Sequence, residues 1–160
     1  MIFITLGSQK FQFNRVLEKV DRLIEDKELS SDVYAQIGYS DYLPKNYKYK
    51  KFLNRDEFSS VMNKADIVIT HGGTGAIVGA IKKGKKVIAI PRLSKYKEHV
   101  DDHQLDIVNE FVKKNLIASV ENIDELGLKI KEIENLNFKR YISNTNNFVN
   151  DIEDYIEKSL

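Results

Sequence analysis

The sequence predicts a doubly wound α/β fold, a Rossmann-like parallel sheet with helices on both faces. Three observations predict it. Strand-like and helix-like segments alternate along the chain. The strand-like ones, such as "DIVI" and "VIAI", are short β-branched runs of the kind that a sheet buries. A glycine cluster, "THGGTGAI" at residues 70–77, stands where one such run gives way to a helix. In a parallel α/β unit that junction lies at the carboxyl end of the sheet, where ligands bind, and the helix beginning there offers unpaired N–H groups and the positive end of its dipole. Gly72, Gly73 and Gly75 therefore serve either an anion, most naturally a phosphate, laid against bare backbone, or a tight turn with close helix–sheet packing.

The elements follow in order. Residues 2–6 read as a buried strand, and Phe13, Val16, Leu17, Val20, Leu23 and Ile24 then recur at helical spacing. Residues 33–37 form a second strand, stopped by Gly38. A third is expected over 47–53, after which Asn54-Arg55-Asp56-Glu57 offers a capping box for a helix reaching Lys64. Strand 66–70, helix 74–83, strand 87–90, helix 99–114, strand 116–120 and helix 122–133 complete the alternation. Phe148, Ile152, Tyr155 and Ile156 share one face of a last amphipathic helix over 146–160, suited to packing on the sheet or on a partner. No internal repeat or long linker divides the chain, so residues 1–160 read as one domain.

Composition narrows the functional classes. Lys and Arg number 25 against 24 Asp and Glu, a net charge of +1, so bulk charge gives no reason to expect a nucleic-acid binder and any anion site must be local. Cysteine is absent, which fits a reducing cytosol. The opening "MIFITLGS" lacks the basic region of a signal peptide, and no apolar run approaches the roughly 20 residues of a membrane helix, so a soluble chain that docks on a membrane protein is expected. "KKGKKV" reads as a solvated turn on the far side from the glycine cluster, and the tyrosine- and lysine-rich residues 39–52 as an exposed or partner-contacting loop.

If the sheet is parallel, the loops after its strands form one surface. "LGSQKFQF" brings Gly7 and Ser8 to the start of a helix. "FLNRDEF" and "THGGTG" follow, and then "IPRLSKYKEHVDDHQLDIV", which runs irregularly from Pro91 through Arg92 to Glu98 before a helix whose first turn carries Asp101, Asp102, His103 and Gln104. Carboxylates, an imidazole and an amide facing a phosphate turn suit the hydroxyls of a sugar; the plain alternative for the two aspartates is a first turn that complements the helix dipole. His99 and His103 are four apart but lack a third ligand or an HExxH pattern in the sequence, so no metal is expected.

"ADIVITHGGTGAI", "GKKVIAIPRL" and "EHVDDHQL" together resemble the C-terminal, donor-binding half of the GT-B glycosyltransferases of family 28, which include the bacterial lipid II N-acetylglucosaminyltransferase. The chain is most similar to the stand-alone form of that half, found in the two-subunit UDP-GlcNAc transferase of the dolichol pathway and in bacterial capsule and exopolysaccharide galactosyltransferases. The resemblance implies that Gly7, Ser8, Gln9, His71, Gly72, Gly73, Thr74 and Gly75 hold the donor diphosphate and that Phe52 and Leu53 meet the uracil. It implies that Asp102 and Gln104 address the transferred sugar, joined on the same loop by Arg92, Asp101 and His103. The glutamate that grips the ribose in the family is replaced by Gly79, five residues before Gly84, so either Glu98 takes that task from the neighbouring loop or the ribose is bound differently.

The activity so implied is inverting, metal-free transfer of a hexose from a UDP-sugar to a lipid-linked saccharide in capsule or exopolysaccharide synthesis, without other cofactors. His71 and Glu98 are the candidate catalytic groups; the acceptor's base belongs to the missing Rossmann half, so a membrane-associated acceptor-binding subunit is implied, with the chain cytoplasmic and peripheral to the membrane through it. The loop's similarity to the bacterial polysaccharide branch points to galactose and a β1,4 link. The alternatives are a UDP-GlcNAc-using subunit or a non-catalytic nucleotide-sugar-binding module. A dinucleotide-dependent oxidoreductase is disfavoured, because "ITLGSQKF" is not G-x-G-x-x-G and no acidic residue ends the second strand at "QIGYS".

Overall fold

The computed structural model describes residues 1–143; the helix expected over 146–160 lies outside the described residues. Six parallel strands, β1 (Ile2–Thr5), β2 (Val33–Gln36), β3 (Lys48–Lys50), β4 (Ile67–His71), β5 (Lys86–Ile90) and β6 (Ala118–Ser119), form one sheet in the order β3-β2-β1-β4-β5-β6. Five α-helices alternate with them: α1 (Asn14–Glu25), α2 (Arg55–Lys64), α3 (Thr74–Lys82), α4 (His103–Lys113) and α5 (Leu126–Ile133).

The period of two along the strands divides the core. Ile2 and Ile4, Ile67 and Ile69, Ile88 and Ile90 point to one face, where Val16, Leu17 and Val20 of α1 and Leu126 and Ile130 of α5 cover them. Phe3, Val68, Val87 and Ala89 point to the other, under Met62 of α2, Ile77 and Ala80 of α3 and Val108 of α4. Both faces are thus buried, which is why the central strands read as unbroken apolar runs rather than alternating ones.

The strand order places the site. From β1 the chain proceeds outward through β2 and β3, then returns to the other flank of β1 with β4, so the connections diverge between β1 and β4. Thr5 pairs with Thr70 there, and the Thr70 hydroxyl donates to the Thr5 carbonyl at 3.1 Å. The loops that leave this point are "LGSQ" and "GGT".

Some boundaries differ from the sequence reading. The third strand shrinks to Lys48–Lys50 and the last to Ala118–Ser119. Of the helix expected over 122–133 only Leu126–Ile133 is α-helical, after a 3₁₀ turn at Ile123–Glu125 in which Asp124 N donates to the Asn122 side chain. The largest change is at α4, which begins at His103 rather than 99. A 3₁₀ turn, Ser94–Tyr96, ends on Lys97 in the left-handed region, with φ 57°. Glu98 then folds back on Leu93 through both its N–H and its carboxylate, leaving residues 99–102 irregular. The capping box expected at α2 is present in full, Asn54 accepting from Glu57 N and Glu57 from Asn54 N.

Candidate functional site

A cleft of about 500 Å³ opens at the carboxyl ends of β1 and β4. Its floor is Thr5, Gly7, Ser8 and Gln9 on one side and His71, Gly73, Thr74 and Gly75 on the other, with His103 and Gln104 at the start of α4 above them. The fold thus brings three separate loops together at one place. Among the described residues, no lysine or arginine lines the cleft. An anion there would have to be held by backbone N–H groups, uncharged side chains and the dipole of α3. That helix begins at Gly73 without a side-chain cap and without an acidic residue in its first turn, whereas α2 is closed by its capping box.

His71 is the centre of the arrangement. A Cβ on Gly73 would lie 2.2 Å from its Cε1, and one on Gly7 would lie 2.6 Å from its Nε2. The imidazole therefore occupies the room that two missing side chains provide. Gly7 also has φ 75°, a conformation that other L residues rarely adopt. Gly72 is needed for another contact, because a Cβ there would lie 2.7 Å from Cβ of Gln104 on α4. Gly75 is different: among the described residues a Cβ there meets nothing within 4 Å. Packing accounts for Gly7, Gly72 and Gly73; it does not account for Gly75, which faces the cleft.

The protonation of His71 is set by its neighbours. Burial, with smaller contributions from Arg92 and His99, lowers its pKa to about 4, so the ring is neutral near pH 7. Gln104 then fixes the tautomer. Its Oε1 accepts from Gly72 N at 2.9 Å and from Arg92 N at 3.0 Å, so the amide nitrogen is the end that faces His71 Nδ1, at 3.4 Å. A neutral ring that presents a lone pair at Nδ1 carries its proton on Nε2, the nitrogen beside Gly7 in the cleft. His71 is thereby an uncharged donor aimed between the two glycine loops.

This pKa has a measurable consequence. Between the unfolded value of about 6.5 and the folded value of about 4, the unfolded chain binds a proton that the folded chain does not. Stability should therefore fall as pH drops through that window, by up to about 3 kcal/mol in all. His71→Gln should flatten the wild-type difference in urea midpoint between pH 7 and about 4.5; equal pH slopes in the two proteins would show that His71 titrates normally.

Several expected site residues have other work. Glu98, expected at the ribose or in catalysis, is 1% exposed. Its carboxylate pairs with Arg15 Nε at 2.6 Å and accepts from Leu93 N at 3.0 Å, which leaves it facing inward. Arg92, expected at the sugar, is also 1% exposed. Its guanidinium donates to the carbonyls of Leu6, Phe11, Gln12 and Glu98 and lies 4.8 Å from the Phe13 ring, tying the loop after β1 to the loop after β5. Burial lowers its pKa to about 10, so it stays charged at neutral pH. Gln104 does line the cleft, but its oxygen is fully committed to backbone.

Asp101 and Asp102 stand exposed on the rim outside the cleft lining, Asp101 accepting from His103 N and Asp102 from Ser94 N. The Ser94 bond holds the Asp102 carboxyl below the usual carboxylate range. Phe52 is exposed, edge-on to Tyr39, and Leu53 donates its N–H to Gln36 Oε1 at 3.0 Å. Neither lines the cleft, but Gln36 does, and so links them to it. Gln36 is a cleft residue that the sequence reading does not name; its signal is a polar side chain closing a strand at the ligand-binding edge.

Comparison with known proteins agrees with this architecture. Residues 1–158 match the model of the glycosyltransferase family 28 C-terminal domain. A curated relative, the UDP-N-acetylglucosamine transferase subunit ALG13 of Kluyveromyces lactis, is 29% identical over 76% of this chain and 52% of its own length. The chain thus spans about half of that relative and less of the other curated relatives it matches. Among solved structures, the solution structure of ALG13 superposes with a TM-score of 0.60 at 17% identity, covering 92% of both chains. The calicheamicin glycosyltransferase CalG4 gives 0.58 at 20% identity over 84% of this chain and 34% of its own. The fold is that of the C-terminal domain of GT-B glycosyltransferases, and by a match over nearly its whole length the chain belongs to the glycosyltransferase family 28 C-terminal domain family.

Proposed function

We propose that the chain is the donor-binding subunit of a glycosyltransferase that uses UDP-N-acetylglucosamine and acts with a membrane-associated partner holding a lipid-linked saccharide acceptor. The observation that carries this reading is the cleft itself. A neutral His71 with its proton on Nε2, an uncapped helix start at Gly73 and an open Gly75 converge on a space that no lysine or arginine among the described residues lines. Such a space suits a diphosphate held by N–H donors, and the same donors oppose the negative charge that grows on UDP as the sugar departs. No metal enters this account. The sugar lies toward the rim, where His103 enters the cleft and Asp102 stands beside it.

The choice of sugar departs from the galactose and the capsule or exopolysaccharide pathway expected from the "IPRLSKYKEHVDDHQ" loop. The curated relatives are named as subunits of UDP-N-acetylglucosamine transferases, which favours the acetylated sugar. Among the described residues no helix is long and apolar enough to cross a membrane, so attachment at the cytoplasmic face is assigned to the partner.

Calorimetry with UDP, UDP-N-acetylglucosamine and UDP-galactose tests the donor. Tighter binding of the N-acetylated donor than of UDP-galactose is expected, and the reverse order would return the reading to galactose. Failure of all three to bind would overturn the donor-subunit reading. Transfer of radiolabelled sugar to a lipid-linked acceptor, measured with and without the partner, separates a catalytic subunit from a module that only binds.

A further inference from the structure

We propose that His99, Asp101 and His103 form a binding site for a divalent transition metal of the zinc class on the rim of the cleft. In the sequence the two histidines lack a third ligand. The irregular turn before α4 supplies one. Asp101 Oδ1 lies 3.1 Å from His99 Nδ1 and in direct contact with His103 Nδ1, and the three donor atoms all fall within 4.8 Å of one another. A tetrahedral ion with bonds of about 2.0–2.2 Å holds its ligand atoms roughly 3.3–3.6 Å apart, so to seat it the His103 nitrogen would move off the Asp101 oxygen it now contacts. Two imidazole nitrogens and one carboxylate oxygen are a donor set that borderline divalent ions prefer, with a fourth position left for water.

Local charge favours a cation here. His99 Nδ1 accepts only a long contact, 3.3 Å, from Asp101 N, which an ion would replace. The negative charge of Asp102 and of Asp106 in the first turn of α4 adds to the local field. Access and rigidity are both provided. The His99 side chain is 7% exposed and packed beside Phe11, which anchors one ligand, while the side chains of Asp101 and His103 are 57% and 50% exposed and can receive an ion from solvent. The ion would pin the turn to the start of α4, where His103 borders the cleft. It takes no part in sugar transfer.

Titration of the purified chain with Zn²⁺ alone, followed by calorimetry near neutral pH, tests this. One ion per chain is expected. His103→Ala and Asp101→Ala, both at exposed positions, should keep the wild-type circular dichroism and weaken Zn²⁺ by about tenfold or more, and Mg²⁺ should give no heat. Absence of Zn²⁺ binding, or equal affinity in the wild type and both folded variants, would overturn the site. No nucleotide is present in the experiment, so its outcome is independent of the donor assignment.

Discussion

Arg92→Leu is expected to lower the free energy of unfolding by about 3–5 kcal/mol, the cost typical of removing one partner from a buried charged network. The side chain is close to leucine only in its stem. Beyond that, the guanidinium is bonded to four carbonyls, those of Leu6, Phe11, Gln12 and Glu98, and leucine leaves all four without a partner. In a domain of this size the loss corresponds to a fall in Tm of roughly 10–15 °C. Arg92→Lys keeps the charge but not the planar fork, so it should fall between the two. UDP affinity should decline with stability in both, because the carbonyls belong to the loops that shape the cleft. A urea midpoint for Arg92→Leu within experimental error of the wild type would show that water replaces the guanidinium at little cost.

Arg92 also marks the limit of what the sequence disclosed. An arginine on the loop after a strand, near carboxylates, reads as a ligand group, and nothing in its spacing reveals that three backbone carbonyls from the loop after β1 and one from its own loop surround it. Glu98 is the same case: its partner Arg15 is 83 residues away, and only the folded domain brings them to 2.6 Å. Both residues are polar at functional-looking positions, yet they hold the functional loops in place. The elements were legible for a different reason. Strand runs such as Ile67–His71 are apolar because both faces are covered, and the Asn54–Glu57 box is a local signal that needs no tertiary context. Boundaries failed where a side chain terminates an element from outside, as Glu98 does before α4.

The glycine cluster was legible as a site but not as a set of separate roles. From sequence, Gly72, Gly73 and Gly75 are equivalent choices between a ligand and a tight turn. The structure divides them: Gly72 admits α4, Gly73 admits the His71 ring, and Gly75 admits no atom of the described residues. The likeness of the three in sequence conceals the fact that His71 needs two of its neighbouring loops bare. Gly7 comes from the loop after β1, 64 positions before His71, and completes the ring's enclosure.

Gly73→Val is therefore expected to weaken UDP binding by roughly a hundredfold or more while the domain stays folded. With Gly73 Cβ placed 2.2 Å from His71 Cε1, the ring has to leave its position, and its Nε2–H leaves the cleft with it. The valine methyl groups also crowd the first N–H groups of α3. Two hydrogen bonds to a charged ligand, each worth about 1.5–3 kcal/mol, account for a loss of that size. The fold should survive because Gly73 is a cap at the cleft edge, with φ −80° and ψ 127°, values open to valine. Gly75→Ala provides the complementary test. In the empty protein its methyl group meets no atom within 4 Å, so stability should be unchanged or slightly raised. If a diphosphate lies against that glycine, UDP affinity should nevertheless fall. A folded Gly73→Val protein with wild-type affinity for UDP, or a Gly75→Ala protein that binds UDP as the wild type does, would mean that the cluster shapes a turn and that the diphosphate is held elsewhere.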